Sequence, residues 1–176
     1  MRIIGGTYKG KTIAVNARLS LRPTTDFAKE GLFNILSGRY EPAASEVLDL
    51  FSGTGSISYE FVSRGARNVL AVEMNPQHVG FIRQTVRTMH IENIRIVRDD
   101  VFHFLTICKA TYDVIFADPP YDMHRLPFLP DEILHRPLLN DNGILIVEHS
   151  RRTDFSGHQR LIMHRNYGNV HFSFFR

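Results

Sequence analysis

Five short apolar runs separated by helix-like segments constrain the fold of this chain more than any other feature. The runs, read from residue 47 onward, are VLDLF, NVLAVE, IRIV, DVIFA and GILIVE. Strands that are apolar on both faces are typical of a parallel sheet covered by helices on both sides. Between the second and third runs, one clear helical face is formed by Val79, Ile82, Val86 and Met89. The pattern predicts an α/β fold.

The last two apolar segments, RLIMHRNYG and NVHFSFF, differ from the earlier runs. They meet at Asn-Tyr-Gly-Asn, which leaves no room for a crossover helix, so the two strands should pair antiparallel. The whole fold is then a mostly parallel, seven-stranded sheet that ends in an antiparallel hairpin. In open sheets of this kind, ligands bind beyond the carboxyl ends of the strands.

Residues 1–45 form a separate pattern before the sheet. MRIIGGTYKGKTIAV has short apolar stretches and a Lys-Gly-Lys turn, which predict a β-hairpin. A helix should follow in LRPTTDFAKEGLFNILSG, where Thr24, Thr25 and Asp26 offer N-cap oxygens. We predict that this arm packs on a core of residues 46–176, with EPAASE as the hinge between them.

The excess positive charge of the chain lies in the arm. Residues 1–45 carry seven Lys/Arg against three Asp/Glu, a net charge of +4, whereas the rest of the chain carries −1. A basic segment can bind phosphates, although a merely solvated arm is the alternative. The arm residues predicted to contact the phosphates of a substrate are Arg2, Lys9, Lys11, Arg22 and Lys29.

Composition narrows the class of protein. The 176 residues suit one domain, and a single cysteine, Cys108, excludes an internal disulfide and fits a reducing cytoplasm. No apolar run approaches the roughly 20 residues of a membrane span, and the N terminus lacks a signal-peptide pattern. The nine histidines form no H-x-x-x-H or H-E-x-x-H pair, so no metal is predicted. We expect a monomeric, cytoplasmic protein.

Glycines and acids follow the first three strands and predict a cofactor site. The first strand leads into DLFSGTGS, in which Gly53 and Gly55 permit a tight turn close to a ligand. The second strand ends in Glu73, where an acid of this fold class accepts hydrogen bonds from two ribose hydroxyls. The third ends in Asp99-Asp100, and Asp100 is the better candidate to accept from an adenine amino group.

These residues favour an adenosine cofactor without phosphates. A dinucleotide fingerprint would have a third glycine where Ser58 stands. The cationic sulfonium of S-adenosylmethionine would also suit an acid-lined pocket. The predicted cofactor residues are Asp49, Phe51, Gly53, Gly55, Glu73, Met74, Asp100, Val101 and Asp118.

The fourth strand ends in Asp118-Pro119-Pro120-Tyr121, which predicts the acceptor half of the site. An exocyclic amine on a nucleobase is a poor nucleophile, and acceptors on both of its N–H groups would orient it and stabilise its developing charge. Asp118 would supply one acceptor and a carbonyl of the rigid Pro119-Pro120 pair the other. The ring of Tyr121 could stack on the extruded base. These four residues are the predicted catalytic group.

With these motifs in place, the chain resembles the RsmD family of small-subunit ribosomal RNA guanine-N2 methyltransferases over essentially its whole length. The matching segments are MRIIGG.YKGK, LRPTTD...EGLFNIL, LDLFSGTGS, FADPPY and G.LIVE. The resemblance implies a Rossmann-like class I methyltransferase fold, S-adenosylmethionine as cofactor, and a guanine in assembled or assembling small ribosomal subunits as substrate. Arg22, Thr24 and Thr25 match the N-terminal signature over the cofactor or substrate, and Arg125 is a further expected RNA contact.

The sequence departs from the family pattern at Phe27, Ser58 and Thr85. The family usually has a basic residue where Phe27 stands, and Lys29 could partly replace it. The alternatives are a DNA adenine-N6 methyltransferase, a glutamine-N5 methyltransferase of proteins, a non-catalytic RNA- or ribosome-binding protein with the same fold, and a dehydrogenase. DNA enzymes usually need a larger reading module than 45 residues, and glutamine methylation normally places Asn at position 118.

Overall fold

The computed structural model of the protein describes residues 1–15, 19, 24–38 and 45–176. Two features of the sequence prediction, Arg22 and most of the EPAASE hinge, lie outside these residues. No helix within the described ranges is long and apolar enough to cross a membrane.

A seven-stranded sheet forms the centre of the protein, in the spatial order β3-β2-β1-β4-β5-β7-β6. The first five strands in the chain pair in parallel, whereas β7 pairs antiparallel with both β5 and β6. The predicted mixed sheet with its antiparallel end is therefore confirmed. The strands are β1 (Glu46–Leu50), β2 (Asn68–Glu73), β3 (Ile94–Arg98), β4 (Tyr112–Ala117), β5 (Leu139–His149), β6 (Leu161–Tyr167) and β7 (Val170–Phe175).

Helices cover both faces of the sheet, as its apolar strands require. They are α1 (Asp26–Ser37), α2 (Ser56–Ser63), α3 (Pro76–Thr88), α4 (Val101–Ile107) and α5 (Leu129–Leu134), the last preceded by a short 3₁₀ helix (Leu126–Phe128). The core on one face joins side chains of α1, α2 and α3 to the sheet, and the core on the other joins those of α4 and α5.

The N-terminal segment packs on α2 through buried polar contacts. Arg2 and Thr12 pair as a single antiparallel bridge, so the predicted hairpin is present in a minimal form. Lys29 of α1 and Glu60 of α2, both almost fully buried, form an ion pair with Nζ and Oε1 3.0 Å apart. The same oxygen of Glu60 accepts a hydrogen bond from the Ile4 N–H at 2.8 Å. One buried carboxylate therefore holds the hairpin, α1 and α2 together.

Candidate active site

A cavity of about 750 Å³ opens at the carboxyl ends of the parallel strands. Eight of the nine predicted cofactor residues line this cavity, as do all four residues of the predicted catalytic group. Gly55 is the exception, and its φ of 80° instead shapes the turn that precedes α2. The sheet thus brings the residues at its strand ends together at one place, although their individual roles stay predictions.

The glycine turn after β1 is hydrogen-bonded to Glu73 at the end of β2. Phe51 and Gly53 adopt positive φ angles of 60° and 53°. The Gly53 N–H donates to Oε2 of Glu73 at 2.8 Å, and the Asn75 N–H donates to Oε1 at 2.7 Å. Because a carboxylate can accept about four hydrogen bonds, Glu73 can hold the turn and still accept from ribose hydroxyls.

Asp49 lies at the base of the cavity and is 1% exposed. Burial raises the pKa of its carboxyl to about 7, and a hydrogen bond from Ser58 opposes that rise. Ser58 Oγ donates to Asp49 Oδ2 at 2.5 Å. A glycine at position 58 could not make this contact, so the departure from the dinucleotide pattern gives Asp49 a partner.

Asp100 has a structural role beside its predicted one. It is the N-cap of α4, and its Oδ1 accepts a hydrogen bond from the His103 N–H at 3.0 Å. Asp100 and Val101 both line the cavity. The carboxylate can cap the helix and still accept a hydrogen bond from a ligand.

The acceptor side of the cavity is built around Asp118 and Glu148. Asp118 directly follows β4, and its N–H donates to the Leu50 carbonyl of β1 at 3.3 Å. Burial, and then the negative charges of Glu148 and Asp49, raise the pKa of Asp118 well above its ordinary value. The Pro120 carbonyl accepts from the Met123 N–H at 2.9 Å, which closes a turn after the two prolines.

Glu148, the second-last residue of β5, lines the cavity and was not among the predicted site residues. It is 3% exposed, and burial raises its pKa to about 6. Its Oε1 accepts from the Tyr121 hydroxyl at 2.8 Å, and its Oε2 accepts from the Thr24 hydroxyl at 2.9 Å. The signal was present, because the run GILIVE ends in this acid as earlier runs end in theirs.

The predicted RNA contacts fall into separate groups. Thr24 and Tyr121 line the cavity, Thr25 caps α1, and Lys9 and Lys11 are exposed on the hairpin. Two further predicted RNA contacts, Arg2 and Arg125, are exposed and form ion pairs. Arg2 pairs with Asp26 at 3.0 Å, and Arg125 pairs with Glu132 at 2.7 Å.

The prediction for Lys29 was wrong. Its side chain is 1% exposed and is paired with Glu60, so it cannot contact RNA or replace a basic residue at position 27. The sequence pattern of α1 could not show that Glu60 of α2 would bury and pair with Lys29.

The cavity fits S-adenosylmethionine. Three carboxylates with raised pKa values, Asp49, Asp118 and Glu148, suit a cationic ligand, and the turn from Phe51 to Gly55 brings backbone close to the cavity. Within the described part of the chain, no group of three His, Cys, Asp or Glu side chains is arranged to hold a metal ion.

Comparisons with known proteins identify the family. The model of the family described as Conserved hypothetical protein 95 matches residues 1–176. Ribosomal RNA small subunit methyltransferase D of Escherichia coli strain K12 is 34% identical over 148 residues, which cover 84% of this chain and 71% of that protein. The enzyme of the same name from Buchnera aphidicola subsp. Baizongia pistaciae is 30% identical, covering 84% and 75%.

The fold agrees with these matches. A solved hypothetical protein from Thermus thermophilus superimposes with a TM-score of 0.89 at 30% identity, and the match covers 100% of this chain and 99% of that one. The family predicted from the sequence motifs is confirmed: the chain belongs to the Conserved hypothetical protein 95 family, which is the RsmD family.

Proposed function

We propose that this protein transfers a methyl group from S-adenosylmethionine to the exocyclic N2 amine of a guanine in small-subunit ribosomal RNA. The observation that carries the proposal is that Asp118, directly before two prolines and Tyr121, faces the same cavity as the glycine turn, Glu73 and Asp100. One cavity therefore offers residues suited to an adenosyl cofactor and residues suited to an amine on a planar ring.

Asp118 orients the amine. The lone pair of a nucleobase amine is delocalised into the ring, so an acceptor on each N–H must hold the nitrogen and stabilise the positive charge that develops on it. The Asp118 carboxylate is one acceptor. The Pro119 carbonyl is our candidate for the second, because the Pro120 carbonyl is already held in the turn with Met123.

Asp118 also takes up the proton that the amine must release. A carboxyl is an efficient general base when its pKa lies close to the working pH. Burial and the neighbouring charges of Glu148 and Asp49 raise the pKa of Asp118 in that direction. A proton gained by Asp118 also relieves the repulsion among the three acids.

Tyr121 and Glu148 position the base. Tyr121 is 40% exposed, and the hydrogen bond from its hydroxyl to Glu148 fixes where its ring lies. Thr24 donates to the other oxygen of Glu148, so the arm contributes directly to this support. Stacking of one base on an aromatic ring contributes about 1–3 kcal/mol to binding.

When bound, the cofactor supplies an electrophilic methyl group on a cationic sulfur. Glu73 would hold the ribose hydroxyls and Asp100 the adenine amino group, while Asp49 supplies negative charge at the base of the cavity. S-Adenosylmethionine joins an adenosine to a permanent cation, which is why the acid-lined cavity favours it.

The family and the basic arm favour RNA over DNA. Lys9 and Lys11 are exposed on the hairpin, where they can contact phosphates. An enzyme with so small an arm would recognise a folded shape more readily than a DNA sequence. The proposal includes a monomeric enzyme that acts on ribosomal subunits in the cytoplasm.

The test is methyl transfer from labelled S-adenosylmethionine to three substrates in parallel: small subunits from cells lacking this methylation, free ribosomal RNA, and duplex DNA. We expect N2-methylguanosine in the ribosomal RNA. N6-methyladenine in DNA, or no transfer to any nucleic acid, would contradict the proposal. Neutralising Lys9 and Lys11 together should lower the salt dependence of RNA binding, by a slope of about 2 on a logarithmic scale.

A further inference from the structure

A second cleft, of about 530 Å³, lies on α1 beside the turn between β6 and β7. It is lined by Phe27, Glu30, Gly31, Asn34, Ile35 and Tyr167. None of these residues lines the larger cavity described above.

The exposed Phe27 and the partly buried Tyr167 form an aromatic pair in this cleft. Their rings meet edge to face, with centroids 5.5 Å apart and planes inclined at 80°. Phe27 is 66% exposed, although it stands in the first turn of a helix whose opposite face is buried. The Phe27 ring therefore offers accessible apolar surface next to Tyr167, on which a planar ligand can stack.

Gly31 allows the Tyr167 ring to lie directly on the backbone of α1. A Cβ atom added at Gly31 would lie 2.1 Å from Cε1 and Cζ of Tyr167. Glycine is disfavoured inside helices relative to alanine. The close packing accounts for glycine at this position, and it holds the aromatic pair in a fixed geometry.

Two residues close to the cleft also line the larger cavity. Thr24, three residues before Phe27, lines the cavity and donates to Glu148. Val170 also lines the cavity and is the antiparallel partner of Tyr167. An RNA strand that inserts one base into the cavity can therefore place a neighbouring nucleotide at Phe27 and Tyr167.

The surroundings of the pair suit a nucleotide. Arg165 is exposed and lies two residues before Tyr167 on β6, hence on the same face of that strand, where it can approach a phosphate. The amide of Asn34 in the cleft can donate to and accept from a base edge. Single-stranded RNA is commonly bound by stacking of its bases on exposed aromatic rings.

We propose that Phe27 and Tyr167 form a stacking subsite for an RNA base next to the methylated guanine. This inference rests on the proposed function. Where the family usually has a basic residue, Phe27 then offers its ring to a base, and the arm helps to choose the RNA segment that enters the site.

The experiment compares steady-state methylation of small ribosomal subunits that lack this methylation by wild-type protein, Phe27→Leu and Phe27→Trp. Leucine keeps an apolar side chain but has no ring, so we expect its KM for subunits to rise about tenfold with kcat changed less than twofold. Tryptophan should restore the wild-type KM. The dissociation constant for S-adenosylhomocysteine should be the same in all three.

Phe128→Leu is the matched control, because Phe128 is equally exposed, at 64%, but lies in the 3₁₀ helix away from the cleft. Gly31→Ala tests the geometry independently, since it should push the Tyr167 ring aside and raise KM without removing an aromatic side chain. Melting temperatures of all variants identify any general loss of fold.

The outcomes separate this inference from the function on which it rests. If wild-type protein methylates no ribosomal RNA, the proposed function fails. If wild-type protein is active and Phe27→Leu matches Phe128→Leu in KM, the stacking subsite is refuted while the function stands. If the wild-type protein sediments as a dimer and the Phe27→Leu variant as a monomer, the stacking subsite is refuted and the surface is a contact between copies of this chain.

Discussion

Two clusters of buried charge in this protein are built in opposite ways. On the arm side, Glu60 is paired with Lys29 at 3.0 Å, and Arg64 lies 3.6 Å from its other oxygen. In the active-site cavity, Asp49 and Glu148 are as deeply buried, but no Lys or Arg of the described residues forms an ion pair with either. Their partners there include the hydroxyls of Ser58, Thr24 and Tyr121.

The difference separates a structural cluster from a functional one. The ion pair of Lys29 with Glu60 offsets part of the cost of burying both charges, and it attaches the arm to the core. Buried acids without opposite charge destabilise the free protein, and their pKa values rise as a result. Such groups cluster at functional sites, and the proposed function assigns these acids an amine and a cationic cofactor as ligands.

The largest expected effect comes from breaking the arm cluster. Lys29→Met keeps most of the side-chain volume but removes the opposite charge from Glu60, so we expect the free energy of unfolding to fall by about 3–5 kcal/mol. Urea denaturation followed by circular dichroism measures this free energy of unfolding. The double variant Lys29→Met/Glu60→Leu should recover part of the lost stability. If Lys29→Met alone were as stable as wild type, the ion pair would not hold the arm.

Asp118→Asn should instead lower activity while sparing the fold. Asparagine keeps an acceptor oxygen but removes the negative charge and the base, and we expect kcat to fall about 100- to 1,000-fold. Asp122→Asn, an exposed acid in the same loop, is the control and should keep wild-type activity. Comparable rates in the two variants would remove Asp118 from the mechanism.

The stability of Asp118→Asn should also depend on pH. The pKa of Asp118 is raised on folding, so its stabilising contribution is present below the unfolded pKa, about 4, and is lost as pH rises through the folded pKa. The variant should therefore be as stable as wild type near pH 4 and more stable at pH 8. A difference that shrinks with rising pH would contradict the raised pKa.

The acids should also make cofactor binding depend on pH. With pKa values of about 7 for Asp49 and about 6 for Glu148, the cavity loses negative charge as pH falls from 8 to 5.5. Cationic S-adenosylmethionine should then lose affinity relative to S-adenosylhomocysteine, whose sulfur is neutral, by on the order of tenfold. Isothermal titration calorimetry of both ligands gives the ratio, and a constant ratio would show that the acids do not sense the sulfonium.

The smallest expected effect concerns Ser58. Ser58→Ala removes the hydrogen bond to Asp49, so the pKa of Asp49 should rise further and the free energy of unfolding at pH 8 should fall by about 1 kcal/mol. The loss should be smaller at pH 5.5, where Asp49 is already protonated. An equal loss at both pH values would assign Ser58 to packing alone.

Much of the site could be read from strand ends, because parallel strands bring their carboxyl ends to one edge of the sheet. Gly53, Glu73, Asp100 and Asp118 were all predicted in this way, and all four line the cavity. Glu148 was missed because its run, GILIVE, was read only as a strand. Lys29 was misassigned because a helical pattern gives the face of a residue but not the partner that buries it.

The sequence by itself determined the α/β class, the antiparallel end of the sheet and the family. These depend on local periodicity and on motifs of adjacent residues, which are visible along the chain. Only the tertiary structure decided that Thr24, Tyr121 and Glu148 form one hydrogen-bonded group, that Lys29 is buried, and that Tyr167 lies on Gly31. Such contacts join residues far apart in sequence, and packing of the arm and the sheet, not local pattern, sets their distances.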